Sequence, residues 1–444
     1  MNVAVVGCGY VGLVSGVGLA AAGHTVVGID ADSARVSALC SGRAPFHEPG
    51  LDDALQSAVA TGRFRPTSAL ADARGADIIL LCVQTPPAPD GSVDLQFVEA
   101  AAQDVARVVS ADTAPQVVAV RSTVPPGTAD SVVAPHFSSL TNVSVASNPE
   151  FLREGSALDD FVHADRVVVG VRADFAANAL QRLYAPLDTP VIVTTPPTAE
   201  LAKYASNALL ATLVSFSNQL ARLAEATPDV DVEDALGILH RDRRLAVGTN
   251  GSVATAPIVT YLKSGCGFGG SCLPKDLPAL IAYGRSRGEQ VALLEAVDAL
   301  NREQPQHLIA LLEERVGGLQ GRRVAVLGAA FKGGTDDLRE SPALRIVDEL
   351  CQRQAQVVVY DPLVEAGRLG ELWPDVEVAP ALEDAVAGCE ACVVATLDGA
   401  WDCLPDVMAE QNGRPVLLVD GRRAIDPERV PAGSYAGIGR SRAR

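Results

Sequence analysis

Residues 1–30, MNVAVVGCGYVGLVSGVGLAAAGHTVVGID, determine the fold class of this chain of 444 residues. Met1 to Val6 is a short apolar run rich in β-branched residues, which predicts a strand. The small residues from Leu13 to Ala22 predict a helix, and the glycines between the two, Gly7 to Gly12, allow a tight turn. Strand, glycine turn and helix together predict the first βα unit of a parallel α/β sheet.

The next apolar run, Thr25 to Ile29, predicts a second strand that ends at Asp30. An acid near this position can bind the ribose diol of a dinucleotide, while the glycines let the backbone approach a pyrophosphate at a helix N-terminus. Because the carboxylate would repel a 2′-phosphate, NAD is the expected cofactor rather than NADP. The alternative is a tight turn that binds nothing. The predicted dinucleotide residues are Gly7, Gly9, Tyr10, Val11, Gly12 and Asp30.

Three further apolar runs continue the parallel sheet, with alanine-rich helical patterns between them. They are Asp77 to Val83, Gln116 to Arg121 and Val143 to Ala146. Open α/β sheets bind ligands at the carboxyl ends of their strands. The loops that follow these strands, at 84–87, 122–128 and 148–155, are therefore expected to line a site.

The strand, turn and helix pattern returns after Gly317-Gly318, at residues 322–353, although its turn lacks a full GxGxxG. Between the two halves the pattern is mainly helical from Thr198, a plausible N-cap, with breaks near Gly284 and Pro305. The fold class is therefore α/β, with two Rossmann-like parallel-sheet domains joined by a central helical domain. The predicted domains are residues 1–196, 197–316 and 317–444, and the tail from Pro431 is expected to be frayed.

The composition restricts the class of protein. A formal net charge of −18 argues against nucleic acid or an anionic membrane as a partner. The N-terminus carries no cationic lead into a long apolar stretch, so neither a signal peptide nor a membrane anchor is expected. Nine cysteines without framework spacing indicate a reducing, cytoplasmic location. The one CxxC, Cys389 to Cys392, is interpreted as a turn entering a buried strand, and no metal site is predicted.

Residues 265–276, GCGFGGSCLPKD, present one thiol just ahead of a lysine and an aspartate. The glycines allow backbone N–H groups to crowd a reacting group, while Lys275 and Asp276 can tune Cys272 and move protons. The alternative is a glycine-rich loop in which Cys272 only packs. The helix from Thr198 to Ala226 carries Lys203 and Asn207 four residues apart, hence on one face.

The chain resembles the UDP-glucose/GDP-mannose dehydrogenase family over nearly its whole length. The resemblance rests on several motifs in one order: GCGYVG at 7–12, RSTVPPGT at 121–128, SNPEFLREG at 147–155, AELAKYASN at 199–207, GFGGSCLPKD at 267–276, AFKGGTDDLRESP at 330–342 and DGRR at 420–423. It implies an N-terminal NAD-binding domain, a central helical dimerisation domain, a C-terminal domain for a nucleotide sugar, and a homodimer or higher homo-oligomer.

The resemblance also implies a chemistry. A primary alcohol is oxidised to a carboxylate with two NAD, UDP-glucose being the expected substrate and UDP-glucuronate the product. Cys272 would form a thiohemiacetal and then a thioester, and Glu150 would act as base in thioester hydrolysis. Thr123 and Asp276 would hold a water that takes the hydroxyl proton, while Lys203 and Asn207 stabilise the oxyanion.

Further contacts are implied by the same resemblance. Those expected with NAD are Val83, Thr85, Ser122, Thr123, Glu154, Lys275 and Arg339. Those expected with the nucleotide sugar are Phe151, Leu152, Arg153, Glu154, Lys203, Asn207, Arg244, Tyr261, Phe268, Gly269, Phe331, Lys332 and Arg422, with Arg244 reaching in from the other subunit. A salt bridge with Asp336 or Asp337 is the alternative for Arg339, and strand-end packing is the alternative for Val83 and Thr85.

One stretch departs from the family pattern. Leu245 to Thr260, which includes Gly248-Thr249-Asn250-Gly251-Ser252, is longer than the usual connection and is expected to be loose. It puts the role of Arg244 in doubt and leaves a dTDP-hexose or GDP-mannose open as substrate. Less favoured hypotheses are a single-step NAD-dependent dehydrogenase of the hydroxyacid type and a non-catalytic nucleotide-sugar-binding protein.

Overall fold

The computed structural model describes residues 1–109, 114–249, 252–410 and 416–441. It divides the chain into two compact units, a first unit of residues 1–206 and 279–289 and a second unit of residues 207–278 and 290–444. The bounds of the three domains expected from the sequence remain a prediction.

The first unit is built on an eight-stranded sheet. Its strands are β1 Asn2–Val6, β2 Thr25–Ile29, β3 Phe64–Thr67, β4 Ile78–Leu81, β5 Gln116–Val120, β6 Val143–Ser147, β7 Val167–Gly170 and β8 Val191–Thr194. Its helices are α1 Tyr10–Ala21, α2 Ser33–Cys40, α3 Leu51–Ala60, α4 Gln96–Val108, α5 Ala157–Val162 and α6 Asp174–Tyr184. Helix α7, Pro196–Glu225, begins in this unit and continues into the second.

The strand order of the first sheet is β3-β2-β1-β4-β5-β6-β7-β8, which confirms the predicted parallel α/β arrangement. Every neighbouring pair is parallel except β6 and β7. Strand β4 is buried along its length, because apolar layers cover both faces of the sheet. The carboxyl ends of β1, β2, β4, β5 and β6 consequently share one edge, where the predicted loops begin.

The second unit repeats this architecture on a smaller scale. Its strands are β9 Ala246–Thr249, β10 Ser252–Thr255, β11 Arg323–Leu327, β12 Gln356–Tyr360, β13 Glu377–Val378, β14 Ala391–Val394, β15 Leu417–Asp420 and β16 Tyr435–Gly437. Its helices, besides the end of α7, are α8 Val232–His240, α9 Leu273–Ser286, which ends in the first unit, α10 Ala292–Val316, α11 Pro342–Gln352, α12 Ala366–Leu372, α13 Leu382–Val386 and α14 Leu404–Glu410.

The six-stranded sheet of the second unit has the order β13-β12-β11-β14-β15-β16 and is parallel throughout. Its first turn repeats that of the first unit. Gly328 adopts φ +91°, beside +93° for Gly7, and Ala329 N donates to Asp361 at 2.7 Å, as Cys8 N donates to Asp30 at 2.8 Å. The two Rossmann-like domains predicted from the sequence are therefore confirmed.

Several local predictions are wrong. Helix α7 begins at Pro196, so Thr198 lies inside it and is no N-cap, because proline lacks the N–H that the first helical turn leaves unpaired. Pro305 lies within the continuous helix α10 and breaks nothing. The tail from Pro431 is ordered through residue 441, since β16 joins the sheet and Gly439 N donates to Glu225 at 2.8 Å.

The stretch expected to be loose is a hairpin. Strands β9 and β10 pair antiparallel from Ala246 opposite Thr255 to Thr249 opposite Ser252. Asn250 and Gly251, which connect the two strands, lie outside the described residues. Over the part of the chain that the structure describes, no helix is long and apolar enough to cross a membrane.

Candidate active site

The glycine turn after β1 has the geometry of a phosphate-binding turn. Gly7 adopts φ +93°, and a Cβ there would lie 2.6 Å from the carbonyl oxygen of Cys82. A Cβ on Gly12 would lie 1.8 Å from the carbonyl oxygen of Gly7. Both positions therefore exclude every residue except glycine. A Cβ on Gly9 would meet no atom within 4 Å, so this face of the turn is open to a ligand.

Helix α1 begins at Tyr10 with Gly9 as its N-cap. No side chain caps this end, and its first turn holds no acidic residue. Unpaired N–H groups and the helix dipole favour an anion there. The residues present thus fit the pyrophosphate of NAD at Gly7, Gly9, Val11 and Gly12. The helix starts three residues before the predicted Leu13.

Asp30, at the end of β2, is buried and held in a network. Its carboxylate accepts N–H groups from Cys8 at 2.8 Å and Asp32 at 2.9 Å. Arg35, in the first turn of α2, binds the same carboxylate at 2.9 Å. Arg35 was not among the residues predicted from the sequence, although a cation five residues after the acid and inside the next helix was a usable signal. Arg35 reduces the repulsion that Asp30 would exert on a 2′-phosphate.

Tyr10 connects this turn to a segment that the sequence analysis did not single out. Its ring packs on Phe46 with centroids 4.7 Å apart, and its hydroxyl donates to Glu48. Glu48 is buried and accepts the N–H groups of Gly155 at 2.8 Å and Ala157 at 2.7 Å. Glu48 thus ties the glycine turn to the segment after β6. No motif marked it, because its partners are backbone groups distant in sequence.

The loops after β4 and β5 lie against each other. Ser122 Oγ donates to the carbonyl oxygen of Val83 at 2.5 Å, and Thr85 is buried beside this edge. Thr123 is half-buried. Four predicted cofactor residues therefore lie together at the carboxyl edge of the first sheet.

Glu150 and Lys203 form a buried ion pair in the first unit, with Nζ 3.0 Å from Oε1. Burial opposes ionisation of Glu150, but Lys203 and the Leu152 N–H at 2.5 Å outweigh it and hold the pKa of Glu150 below its ordinary value. The Lys203 ammonium also lies 5.5 Å from the ring centroid of Phe151, and the guanidinium of Arg166 lies 4.3 Å from the same centroid. Arg166 carried no motif signal.

Cys272 occupies the N-cap position of α9 in the second unit. Its carbonyl oxygen accepts the N–H groups of Lys275 at 3.2 Å and Asp276 at 2.8 Å, the first bonds of the helix. Ser271 Oγ lies 3.6 Å from the Cys272 sulfur. A helix N-terminus stabilises negative charge, so the position favours a thiolate. The helix N-terminus adds to the glycine N–H groups and to Lys275, which the sequence predicted for this purpose, and Pro274 was a usable signal of the helix start.

Asp276 is buried, and each of its carboxylate oxygens has one partner. Its Oδ2 accepts from Asn207 Nδ2 at 2.6 Å, and its Oδ1 binds Lys275 Nζ at 2.6 Å. Three predicted site residues, Asn207, Lys275 and Asp276, therefore form one network. The carboxylate is held in one orientation by a charged and a neutral donor.

The other cysteines differ from Cys272. Burial raises the pKa of Cys82 to about 12 and that of Cys266 to about 11, which keeps both as neutral thiols. Cys389 and Cys392 lie at the start of buried strand β14, as the sequence predicted for this CxxC. Among the described residues no cluster of His, Cys, Asp or Glu could hold a metal ion.

Side-chain amides hold the loop that leads to Cys272. Asn301 on α10 accepts the Phe268 N–H at 2.7 Å and donates to the Phe268 carbonyl at 3.1 Å. Asn218 accepts the Gly265 N–H at 2.7 Å, and Gln304 donates to the Gly265 carbonyl at 2.9 Å. None of the three amides was predicted from the sequence, because a polar residue in a helical pattern looks the same whether it is solvated or buried.

The same loop packs against the segment after β11. A Cβ on Gly269 would lie 2.5 Å from the carbonyl oxygen of Glu340 and 3.0 Å from Phe331 Cβ. Gly270 has φ +87°, and its N–H donates to the Arg339 carbonyl at 2.9 Å. The structure thus brings together Phe268, Gly269 and Phe331, three of the predicted substrate residues.

Three arginines that were predicted to contact NAD or the nucleotide sugar form ion pairs with aspartates of the same chain. Arg339 binds Asp337 at 2.8 Å, the alternative stated for it, and Arg153 binds Asp160 at 2.5 Å. Arg244 is 88% exposed and binds Asp242 at 2.5 Å. Among the other predicted residues, Arg422 donates to the Ala395 carbonyl at 2.7 Å, and Lys332 Nζ lies 5.6 Å from the Phe331 ring centroid. Leu152, Glu154 and Tyr261 are half-buried.

Three sequence models of one family match the chain in order. The NAD binding domain of the UDP-glucose/GDP-mannose dehydrogenase family matches residues 1–188, the central domain matches 197–303, and the UDP binding domain matches 325–427.

Individual relatives match over most or all of the chain. The chain is 37% identical to UDP-glucose 6-dehydrogenase YwqF of Bacillus subtilis, over 99% of this chain and 98% of that protein. It is 35% identical to GDP-mannose 6-dehydrogenase of Pseudomonas putida, over 83% of this chain and 82% of that protein. A solved UDP-glucose dehydrogenase from Pyrobaculum islandicum is 39% identical, with a TM-score of 0.89, over 99% of this chain and 98% of that one.

Proposed function

Because the chain belongs to the UDP-glucose/GDP-mannose dehydrogenase family and is an NAD-dependent nucleotide-sugar dehydrogenase, we propose that it oxidises UDP-glucose to UDP-glucuronate. The reaction converts the C6 primary alcohol into a carboxylate and consumes two NAD and one water. NAD, when bound, accepts the electron pair and hydrogen that leave C6 in each oxidation. The glycine turn and the N-terminus of α1 hold its pyrophosphate, and Asp30 holds its ribose.

In the first step the C6 hydroxyl loses its proton and C6 loses a hydrogen with its electron pair, which leaves an aldehyde. We assign Asp276, acting through a water that Thr123 also holds, as the acceptor of that proton. Lys203 and Asn207 supply positive charge and an N–H donor for the developing oxyanion. The hydrogen bond from Asn207 to Asp276, at 2.6 Å, supports a shared role for these two side chains.

The second step needs the Cys272 thiolate. The sulfur adds to the aldehyde carbon, and the resulting alkoxide takes up a proton to form a thiohemiacetal. Loss of that proton and of the second electron pair with its hydrogen gives a thioester. Water then attacks the thioester carbonyl, the C–S bond breaks, and the thiolate and the carboxylate product are released. Glu150 orients and deprotonates this water, and its low pKa keeps it ionised at neutral pH.

The observation that carries the proposal is the position of Cys272. It is a half-buried thiol at the N-terminus of a fourteen-residue helix, whereas Cys8, Cys82, Cys266, Cys389 and Cys392 are buried. A nucleophile needs access and a stabilised anion, and this position offers both. A dehydrogenase that stops at an aldehyde or ketone needs neither.

The test is Cys272→Ser, with Cys351→Ser as the matched control because Cys351 is an exposed cysteine of the same unit. We expect Cys351→Ser to form two NADH per UDP-glucose, and Cys272→Ser to lose at least a thousandfold in kcat. Mass spectrometry of the acid-quenched protein should find the glucuronyl adduct on Cys272 alone. Full turnover by Cys272→Ser would refute the mechanism.

The choice of UDP-glucose has two rivals, a dTDP-hexose and GDP-mannose. A GDP-mannose 6-dehydrogenase is among the relatives at 35% identity, and the β9–β10 hairpin departs from the family pattern near the expected substrate residue Arg244. Ranking kcat/KM for UDP-glucose, dTDP-glucose and GDP-mannose separates the three. We expect UDP-glucose to lead by at least tenfold, and a lead for dTDP-glucose or GDP-mannose would transfer the proposal to that substrate.

We also propose that the chain forms a homodimer through α7. In the second unit this helix exposes Leu209, Phe216 and Leu223, at 49%, 48% and 57%, seven residues apart along one face. A large exposed apolar face usually marks an interface. Phe216→Glu is expected to shift the dimer to a monomer in analytical ultracentrifugation, and a wild-type monomer at micromolar concentration would contradict the assignment.

A further inference from the structure

Glu200, in the second turn of α7, is a buried carboxylate with no role in the chemistry described so far. The residue is 2% exposed. Its Oε2 accepts the N–H of Gly127 at 2.5 Å, and its Oε1 accepts the N–H of Ala129 at 2.9 Å and the hydroxyl of Ser147 at 3.3 Å. The two oxygens therefore bind two backbone positions of the loop after β5.

This arrangement lowers stability at neutral pH. No salt bridge to Glu200 is found among the described residues, and burial raises the pKa of Glu200 to about 7 against the opposing effect of the two N–H donors. A folded-state pKa above the ordinary 4.5 means that the folded protein loses stability as the pH rises from about 4.5 to about 7. An uncharged side chain would avoid this pH-dependent loss of stability.

The charged groups around Glu200 are few. Asp130, on the same loop, has the same sign and is itself paired with Arg172 at 2.7 Å. Lys203, one turn along α7, is engaged by Glu150 at 3.0 Å. Backbone and hydroxyl donors are therefore the groups that hold the Glu200 carboxylate directly.

The loop that Glu200 binds carries Thr123. Its first end is fixed by Arg121, whose buried guanidinium donates to Ser15 at 2.7 Å and to Asn148 at 3.1 Å. Its other end is fixed at Gly127 and Ala129 by Glu200. Residues 122–126 bridge these two anchors, so the place of Thr123 depends on both.

We propose that Glu200 is a positioning residue. Its carboxylate fixes residues 121–129, and hence Thr123, relative to Lys203, which lies on α7 as Glu200 does. The proposal rests on the proposed function, in which Thr123 and Lys203 are active-site groups. A carboxylate is required because each of its oxygens accepts one N–H. A glutamine would turn its own NH2 group toward one of them and lose that anchor.

The first test measures stability and activity together in Glu200→Gln, with Glu99→Gln as the matched control because Glu99 is an exposed glutamate of the same unit. At pH 8 we expect Glu200→Gln to unfold at the same or a higher temperature than the wild type. Its kcat should fall at least tenfold, whereas KM for UDP-glucose, whose expected contacts lie outside residues 121–129, should change less than threefold. The wild-type kcat should also fall below about pH 7, and this limb should be absent in Glu200→Gln. An unchanged kcat and an unchanged limb would overturn the proposal.

The second test needs no substrate and so separates this proposal from the proposed function. In the wild type, the amide hydrogens of Gly127 and Ala129 should exchange slowly at pH 8, after correction for the intrinsic rates. In Glu200→Gln at least one should exchange tenfold faster, while Glu99→Gln matches the wild type. Unchanged exchange at both amides overturns the positioning role even if the enzyme makes two NADH per UDP-glucose.

Glu200→Asp covers the case in which Glu200→Gln does not fold. It keeps the charge but shortens the side chain by one methylene. We expect it to fold, to keep the acidic limb and to lose part of kcat. Wild-type kcat in Glu200→Asp, or loss of the acidic limb while the charge is kept, would overturn the proposal.

Discussion

The buried ion pair of Glu150 and Lys203 allows a quantitative prediction of how the free energy of unfolding changes when one partner is removed. At a separation of 3.0 Å the Coulomb attraction is about 5.5 kcal/mol for an effective dielectric constant of about 20. Desolvation of the two charges consumes much of this, so the pair adds little net stability. Removal of one partner leaves the other buried and uncompensated. Lys203→Met should therefore lower the free energy of unfolding by about 3 to 5 kcal/mol at pH 7.

The double variant distinguishes this explanation from simple loss of packing. In Glu150→Gln with Lys203→Met no buried charge remains, so most of the loss should be recovered, with a coupling energy of at least about 2 kcal/mol. The exposed pair of Arg65 and Asp72, at 2.9 Å, serves as control, and its cycle should give at most about 1 kcal/mol.

The pH dependence of the stability lost in Lys203→Met follows from the direction in which the pKa of Glu150 shifts. In the wild type the pKa of Glu150 lies below its ordinary 4.5, so its contribution is present above pH 4.5 and is lost as the pH falls through the folded value. In Lys203→Met burial acts without its counterweight and raises that pKa. The folded variant then binds a proton more readily, so its deficit should shrink between pH 8 and pH 5.

Urea unfolding followed by far-UV circular dichroism measures these free energies. Both tryptophans, Trp373 and Trp401, lie in the second unit, whereas Glu150 and Lys203 lie in the first. Tryptophan fluorescence therefore reports unfolding of the second unit separately. A coupling energy below about 0.5 kcal/mol, or a deficit that grows toward acid, would refute the reasoning.

The glycine positions give two further predictions. Gly12→Ala places a Cβ 1.8 Å from a backbone oxygen of its own turn and should lower the unfolding temperature. In Gly9→Ala the new Cβ meets no atom within 4 Å, so this variant should unfold as the wild type does. Its Kd for NAD, measured by calorimetry, should nevertheless rise at least tenfold. Equal Kd values for Gly9→Ala and wild type would contradict the pyrophosphate assignment. Gly270→Ala should destabilise more than Gly288→Ala in thermal unfolding, because both have positive φ but only Gly270 would meet the Phe331 ring, at 2.9 Å. Equal losses would mean that backbone strain alone decides the effect.

Much of the fold could be predicted from local pattern. The glycine spacing at 7–12 and the acid at 30 predicted the first βα unit, and the same pattern at 322–353 predicted the second, because both depend on residues close in sequence. Element boundaries were less certain. Proline at position 196 starts α7 where threonine at 198 was expected to cap it, and proline at 305 is accommodated within α10.

The sequence by itself determined the two sheets and the glycine turn of the NAD-binding domain, and it singled out Cys272 as the proposed nucleophile, since these depend on residue type and short spacing. The tertiary structure alone decided the partners of the buried polar groups: Arg35 on Asp30, Lys203 on Glu150, Asn207 on Asp276 and the Gly127 amide on Glu200. A buried charge or amide must find a partner wherever the fold supplies one. For most of these groups that partner lies more than fifty residues away, where no local pattern can indicate it.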